Sequence, residues 1–173
     1  ELLDRTLRDA SRTLRVTGYK VIGAVPSLST ARYGGLTRTY IQLSVRELTN
    51  SLLRFLTKRK SPGVFIINLF STSEDSGEDI IGTLICGFMQ SRKLNTKFIC
   101  YNKDFDIAST QYLLARSVTD FYTPQGEDVL IVAYPPLSKS SISSALLHDT
   151  NANILVTPAN RGWKTIDKQL CEQ

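Results

Sequence analysis

Residues 64–90 read VFIINLFSTSEDSGEDIIGTLICGFMQ, and the order of their parts decides the fold. Val64 to Phe70 is the apolar run of a buried strand. A turn containing Gly77 follows, and then a helix over 78–91. Strand, glycine turn and helix in that order build a phosphate-binding loop, because the first turn of the helix presents free backbone N–H groups. Here that turn carries Glu74, Asp75, Glu78 and Asp79, and the stretch from Ser61 to Ser91 holds no Lys or Arg.

The same alternation continues along the chain. Strands are expected at 97–101, 128–134 and 153–157, and helices at 107–117, 140–147 and from about 163 onward. Upstream, Leu3, Leu7, Ala10 and Leu14 recur at helical spacing over 1–16, and Gly18 ends that helix. YKVIGAVP at 19–26 reads as a strand closed by Pro26, and Ser27 to Gly35 reads as a loop. Ile41, Val45, Leu48, Leu52 and Phe55 stripe a long helix over 39–58 that ends at KSPG. Strands that are nearly continuous in apolar residues and alternate with helices predict a parallel sheet covered on both faces, an α/β three-layer sandwich. With 173 residues and no internal repeat, residues 1–173 are expected to form one domain.

Composition narrows the class further. Hydrophobic residues make up 42% and charged residues 21%, as in a soluble globular protein. No apolar stretch approaches the roughly 20 residues of a membrane span. The net charge of +5 comes largely from Arg5, Arg8, Arg12, Arg15 and the Lys58 to Lys60 cluster. No aromatic residues are interleaved there for base stacking, so nucleic acid is not expected as a partner. Cys86, Cys100 and Cys171 show no metal or redox spacing, and the first two sit in apolar runs as buried thiols. The acids of the 74–79 turn lack the spacing of a calcium loop, so no metal site is expected. His148 has no Ser or Cys nucleophile tied to it by motif and reads as a surface or capping residue. The chain opens on Glu1 and its single methionine is Met89, so it reads as a piece of a longer protein.

Several stretches together resemble bacterial tyrosine kinases, the cytoplasmic modules of polysaccharide co-polymerases. YKVIGAVP resembles their entry strand, and RELTNSLLRFL (46–56) their Glu-x-x-Arg helix. VFIINLFSTSEDSGED (64–79) stands where they carry the Walker A loop, Pro-Gly-Glu-Gly-Lys-Ser-Thr. KFICYNKDFD (97–106) matches their Asp-x-Asp strand. Residues 127–167, from EDVLIVAYPP to GWKTID, follow their Walker B strand, double proline, helix and last core strand. The resemblance spans nearly the whole chain and implies a P-loop NTPase-like fold.

The departures fall on the chemistry. With Gly77 aligned on the second glycine of the loop, Glu78 takes the place of the phosphate-binding Lys and Asp79 that of the Mg²⁺-binding Ser or Thr. Asn102 replaces the first Asp of the Asp-x-Asp pair while Asp104 remains, and Ala133 replaces the metal-organising Asp. A carboxylate in place of a cation about 4 Å from a phosphate converts roughly 4 kcal/mol of attraction into repulsion at an effective dielectric of 20. Glu78 and Asp79 suit the positive end of their own helix instead. No Tyr follows Tyr134, where these kinases carry a tyrosine-rich tail, and the segment between Asp106 and Asp128 is shorter than theirs.

The resemblance therefore implies a catalytically inactive relative that uses no cofactor and scaffolds capsule or exopolysaccharide synthesis at the cytoplasmic face of the bacterial inner membrane. Its first 18 residues would lead from a membrane segment outside this chain. Partners would be further copies of itself or other export proteins. Arg46, on the helix that packs between subunits in the related rings, and Trp163 are the candidate interface residues, although Leu43 occupies the position of the acid that pairs there. Two other readings stand beside it. One is a working ATPase or kinase that borrows a cation, with Lys93, Lys97 and Lys103 nearest in sequence; the other is a regulatory partner-binding domain of an unrelated pathway.

Overall fold

The computed structural model describes residues 7, 9–26, 36–56, 63–101 and 103–172. Its helices are α1 (Ala10–Thr17), α2 (Leu36–Leu56), α3 (Glu78–Ser91), α4 (Thr110–Leu113), α5 (Ser144–His148) and α6 (Thr165–Cys171). Its strands are β1 (Phe65–Phe70), β2 (Thr96–Cys100), β3 (Val129–Ala133) and β4 (Ala152–Leu155). The strands pair in the order β2-β3-β1-β4, and every pairing is parallel.

Alternate residues of each strand face opposite ways, and this sorts the core into two halves. Phe65, Ile67 and Leu69 of β1 pack with Val129 and Ile131 of β3 against Leu48 and Leu52 of α2 and Ile85 and Met89 of α3. On the other face Ile66, Leu130, Val132 and Ile99 meet Tyr112, Val118, Ile142 and Leu146. Two hydrophobic layers flanking one parallel sheet make the α/β three-layer arrangement that the alternation of apolar runs predicts. Where α3 crosses β2, Gly82 leaves room for an aromatic ring, since a Cβ there would lie 2.3 Å from Phe98 Cε2.

Helix ends follow their local chemistry. Asp9 caps α1 by accepting from Arg12 N at 2.8 Å, and Gly18, at φ 79, closes it through a bond from its N–H to Leu14 O. Leu7 is buried, but Leu14 is 49% exposed, so the apolar face of this helix is only partly covered. The remaining residues of the expected 1–16 helix, apart from Leu7 and Asp9 onward, lie outside the described residues, as do the 27–35 loop and Lys58. In α2, Val45, Leu48 and Leu52 of the expected stripe are buried and Ile41 is half-buried.

Three expectations change, the first being that the helix expected over 140–147 begins only at Ser144. Residues 19–26 form no strand; Ile22 and Val25 pack on the α2–α3 side of the core, and a Cβ on Gly23 would come within 2.9 Å of Leu48 Cδ1. The segment lies against α2, and among the described residues no strand pairs with it. The helix expected over 107–117 shortens to α4 and a 3₁₀ turn over Val118–Asp120, each started by its own serine, Ser109 and Ser117.

Candidate functional site

β1 and β3 are neighbours whose onward connections run to opposite edges of the sheet, β1 toward β2 and β3 toward β4. The crevice outside the carboxyl ends of such a pair is where open α/β sheets hold ligands. The 71–77 loop leaves β1 there, and the 134–143 segment leaves β3.

The loop turns tightly through Asp75 at φ 56 and Gly77 at φ 90, both left-handed. Ser71, Thr72 and Ser76 are buried within it. The single hydroxyl proton of Ser71 is shared between Ser73 O at 2.9 Å and Glu78 Oε1 at 3.2 Å, and Ser76 Oγ donates to Ser73 O at 2.7 Å. Gly77 is the N-cap of α3 and gives no side-chain cap. Glu78 is the acid turned inward, at 7% exposed. Its Oε2 is buried with no hydrogen-bond partner among the described residues. Asp79, Glu74 and Asp75 face solvent.

Three ties fasten this loop to the rest of the chain. Leu137 N donates to Ser71 O at 2.8 Å. Lys139 Nζ pairs with Glu74 Oε1 at 2.7 Å. Arg161 donates through Nη1 to Thr72 Oγ1 at 2.6 Å and Ser73 Oγ at 2.9 Å, and through Nη2 to Asp167 Oδ1 at 2.6 Å. Asp167, 1% exposed, also accepts from Lys164 N at 2.8 Å through its other oxygen.

The expectation of a turn far from any cation is thereby corrected. No Lys or Arg stands near it in sequence, yet the fold brings Lys139 and Arg161 to it. Neither belongs to a motif that could have flagged it, because Arg161 lies 88 residues from Ser73. Lys103 lines an open depression of about 620 Å³ with Tyr101, Asp104, Phe105 and Lys139.

The sequence-derived positions are distributed as follows. Ala133 ends β3, fully buried, in register with Leu69 of β1 and Cys100 of β2. Its side chain is a methyl group and offers no oxygen ligand. Asp104 closes the turn after β2, where its Oδ2 accepts from Cys100 N at 2.8 Å. Asn102 lies outside the described residues. Asp128 sits at the opposite end of the sheet and its Oδ2 accepts from Asn95 N. Arg46 is on the exposed side of α2, 3.6 Å from Glu47 Oε1. Trp163 is 5% exposed, so it packs inside the chain. His148 Nδ1 lies 2.7 Å from Ser144 O, a local contact at the end of α5. Tyr134, the last tyrosine, is fully buried and its hydroxyl is out of reach of any modifying group.

Burial pushes the Glu78 carboxyl above its ordinary value; its own backbone N–H and the Ser71 hydroxyl oppose this, and Asp79 and Asp75 add to it. The folded chain then keeps a proton that the unfolded chain releases once pH passes about 4.3. Stability therefore falls as pH rises from that point until the folded group has also ionised. Glu78→Gln is neutral throughout, and it is expected to be more stable than the parent by about 1 kcal/mol at neutral pH. That gain should shrink toward zero below about pH 4. Urea unfolding at the two pH values checks this, and an equal gain at both would count against the buried charge.

No protein-family model and no curated protein matches the sequence, whereas solved structures do match the fold. The chain has a P-loop NTPase-like α/β fold. Among its structural neighbours is the kinase domain of the Escherichia coli tyrosine kinase ETK, with a TM-score of 0.65 and 13% identity, over 96% of this chain and 89% of that one. The chimerical protein CapA2B2 is another, with a TM-score of 0.61 and 12% identity over 95% and 92% of the two chains. At such identities the likeness fixes the fold, and the chemistry rests on the residues in the crevice.

Proposed function

We propose that this chain is a catalytically inactive, pseudokinase-like domain that scaffolds or regulates the synthesis and export of a capsular or exopolysaccharide. One observation carries the reading: at the position of the phosphate-binding Lys, Glu78 is buried in the loop with its carboxylate turned toward Ser71. A triphosphate needs a cation and a metal held by hard oxygen ligands at this point. Here it would meet a carboxylate, and Ala133 offers the metal no oxygen. The fold shared with the ETK kinase domain and the kinase-like order of motifs support the link to polysaccharide export.

In this reading the domain acts by contact, through copies of itself or other export proteins. It would sit at the cytoplasmic face of the inner membrane, attached by segments outside this chain. Arg46, exposed on α2 one turn from the exposed Leu43, is the residue proposed for self-association. Calorimetric titration with ATP and Mg²⁺ is expected to give no saturable heat, and binding in the micromolar range with release of phosphate would end the proposal.

A working ATPase is the second reading, and one observation favours it. Arg161 reaches the hydroxyls of the loop and could stand in for the missing Lys. Its other nitrogen is held by Asp167, which offsets that charge. Should ATP bind, loss of that binding in Arg161→Ala would assign the site to this arginine.

A further inference from the structure

We propose that Glu78 is a built-in ligand of the loop between β1 and α3: its carboxylate occupies the anion position formed there, and the chain thereby closes its own site. This rests on the reading of the domain as inactive, and it supplies the means by which the site is kept empty of phosphates.

The anion position is defined by what converges on it. α3 has fourteen residues, long enough for a full positive end, and its first-turn N–H groups are free of intrahelical partners. The left-handed turn at Asp75 and Gly77 brings Ser71 back to that end, where its hydroxyl donates to Glu78 Oε1. Four acids line the segment, but only Glu78 is withdrawn from solvent. Glu74 leaves outward to Lys139, and Asp75 and Asp79 are exposed.

A carboxylate placed only to favour the helix end would keep its water, because an acid in the first turn is stabilising while solvated. Glu78 instead gives up solvent at both oxygens and gains a protein partner at one; Oε2 has none among the described residues. Its placement is unfavourable for stability and is explained by the volume and charge it puts into the loop. The charged groups around it leave it unneutralised: Arg161 is shared between Thr72, Ser73 and Asp167, Lys139 is paired with Glu74, and Asp75 and Asp79 repel it. With the carboxylate removed, the same loop would offer an anion the Ser71 hydroxyl, the first-turn amides and the adjacent arginine. A phosphoryl group is the oxyanion whose acceptor geometry suits these donors.

The test titrates inorganic pyrophosphate, at constant ionic strength, into the full chain, Glu78→Ala and Glu78→Gln, and follows binding by calorimetry and ³¹P NMR. The parent is expected to show no saturable binding up to millimolar concentration. Both variants should bind at least about tenfold more tightly than the parent, and adding Arg161→Ala to Glu78→Ala should weaken that binding. If both variants are folded, with unchanged circular dichroism, and bind no better than the parent, the proposal is overturned. If the parent binds as tightly as they do, it is overturned as well. If neither variant folds, Glu78 is a structural cap, which also overturns it. The inactive reading fails by a separate result, ATP and Mg²⁺ binding with turnover in the parent, so the two failures are told apart.

Discussion

Arg161→Ala is expected to lower the thermal midpoint of the chain by about 6–12 °C. Asp167 is 1% exposed and Arg161 has 24% of its side chain exposed, so the pair belongs to the interior. Removing one partner of a buried pair costs about 3–5 kcal/mol, because the other charge stays buried. Lys164 N continues to hold the second oxygen of Asp167, which places the loss near the lower end, about 3 kcal/mol. In a chain of this length each kcal/mol moves the midpoint by about 2–4 °C.

Arg161→Lys should recover little of that loss. The guanidinium bonds two loop hydroxyls with one nitrogen and Asp167 with the other, and a single ammonium cannot span both. Asp167→Asn should cost less than Arg161→Ala, since it leaves no buried carboxylate behind. Thermal unfolding of the three variants followed by circular dichroism is the measurement. A drop of less than about 2 °C in Arg161→Ala would mean that the pair is as weak as an ordinary surface contact.

That tie also marks where reading the sequence stops. The strands of the sheet were legible because each buried strand is a local apolar run: Val64 to Phe70 gives β1 and Asp128 to Tyr134 gives β3. The 78–91 helix was legible from Gly77, the acids after it and its apolar spacing. YKVIGAVP carries the same local signature as a strand but forms none, because a strand exists only where a neighbour completes its hydrogen bonds. The 107–117 stretch lost most of its helix for a related reason. Tyr112, Ala115 and Val118 are each buried in one half of the core, and two serine-capped short turns satisfy that packing better than one straight helix. In the site, the identities of Gly77, Glu78, Asp79 and Ala133 could be read in place. The inward turn of Glu78 and the arrival of Lys139 and Arg161 could not, since pairings across 65 residues and more depend on the assembled sheet.

The substitution expected to be most damaging within the sheet is Asn68→Asp, the change of one atom at a fully buried position. Asn68 interrupts the apolar run of β1, and its Nδ2 donates toward Asn153 Oδ1 at 2.9 Å, Thr150 Oγ1 at 3.2 Å and Leu146 O at 3.5 Å. Its own Oδ1 has no partner among the described residues. The amide therefore serves as a donor facing acceptors, joining β1 to β4 and to the end of α5. An aspartate puts a carboxylate opposite those same oxygens. Asn68→Ala, which only removes the donors, is expected to cost about 2 kcal/mol. Asn68→Asp should cost about 3–5 kcal/mol at neutral pH, the range for an uncompensated buried charge.

The two variants separate by pH. Burial among acceptors raises the folded carboxyl above its unfolded value of about 3.9, so the folded state holds its proton longer. The charge part of the Asn68→Asp penalty is then absent below about pH 4, where the protonated acid donates one hydrogen bond in place of the two N–H groups of the amide, and the penalty grows as pH rises. The penalty of Asn68→Ala should stay level. Urea unfolding of both variants between acid and neutral pH reads the difference. If Asn68→Asp is no worse than Asn68→Ala at neutral pH, the new charge has reached solvent and the junction of β1 with β4 is looser than its geometry states. If it is worse, the loop that carries Glu78 leaves the sheet from a fixed point, because Leu69, next to Asn68, is the residue in register with Ala133.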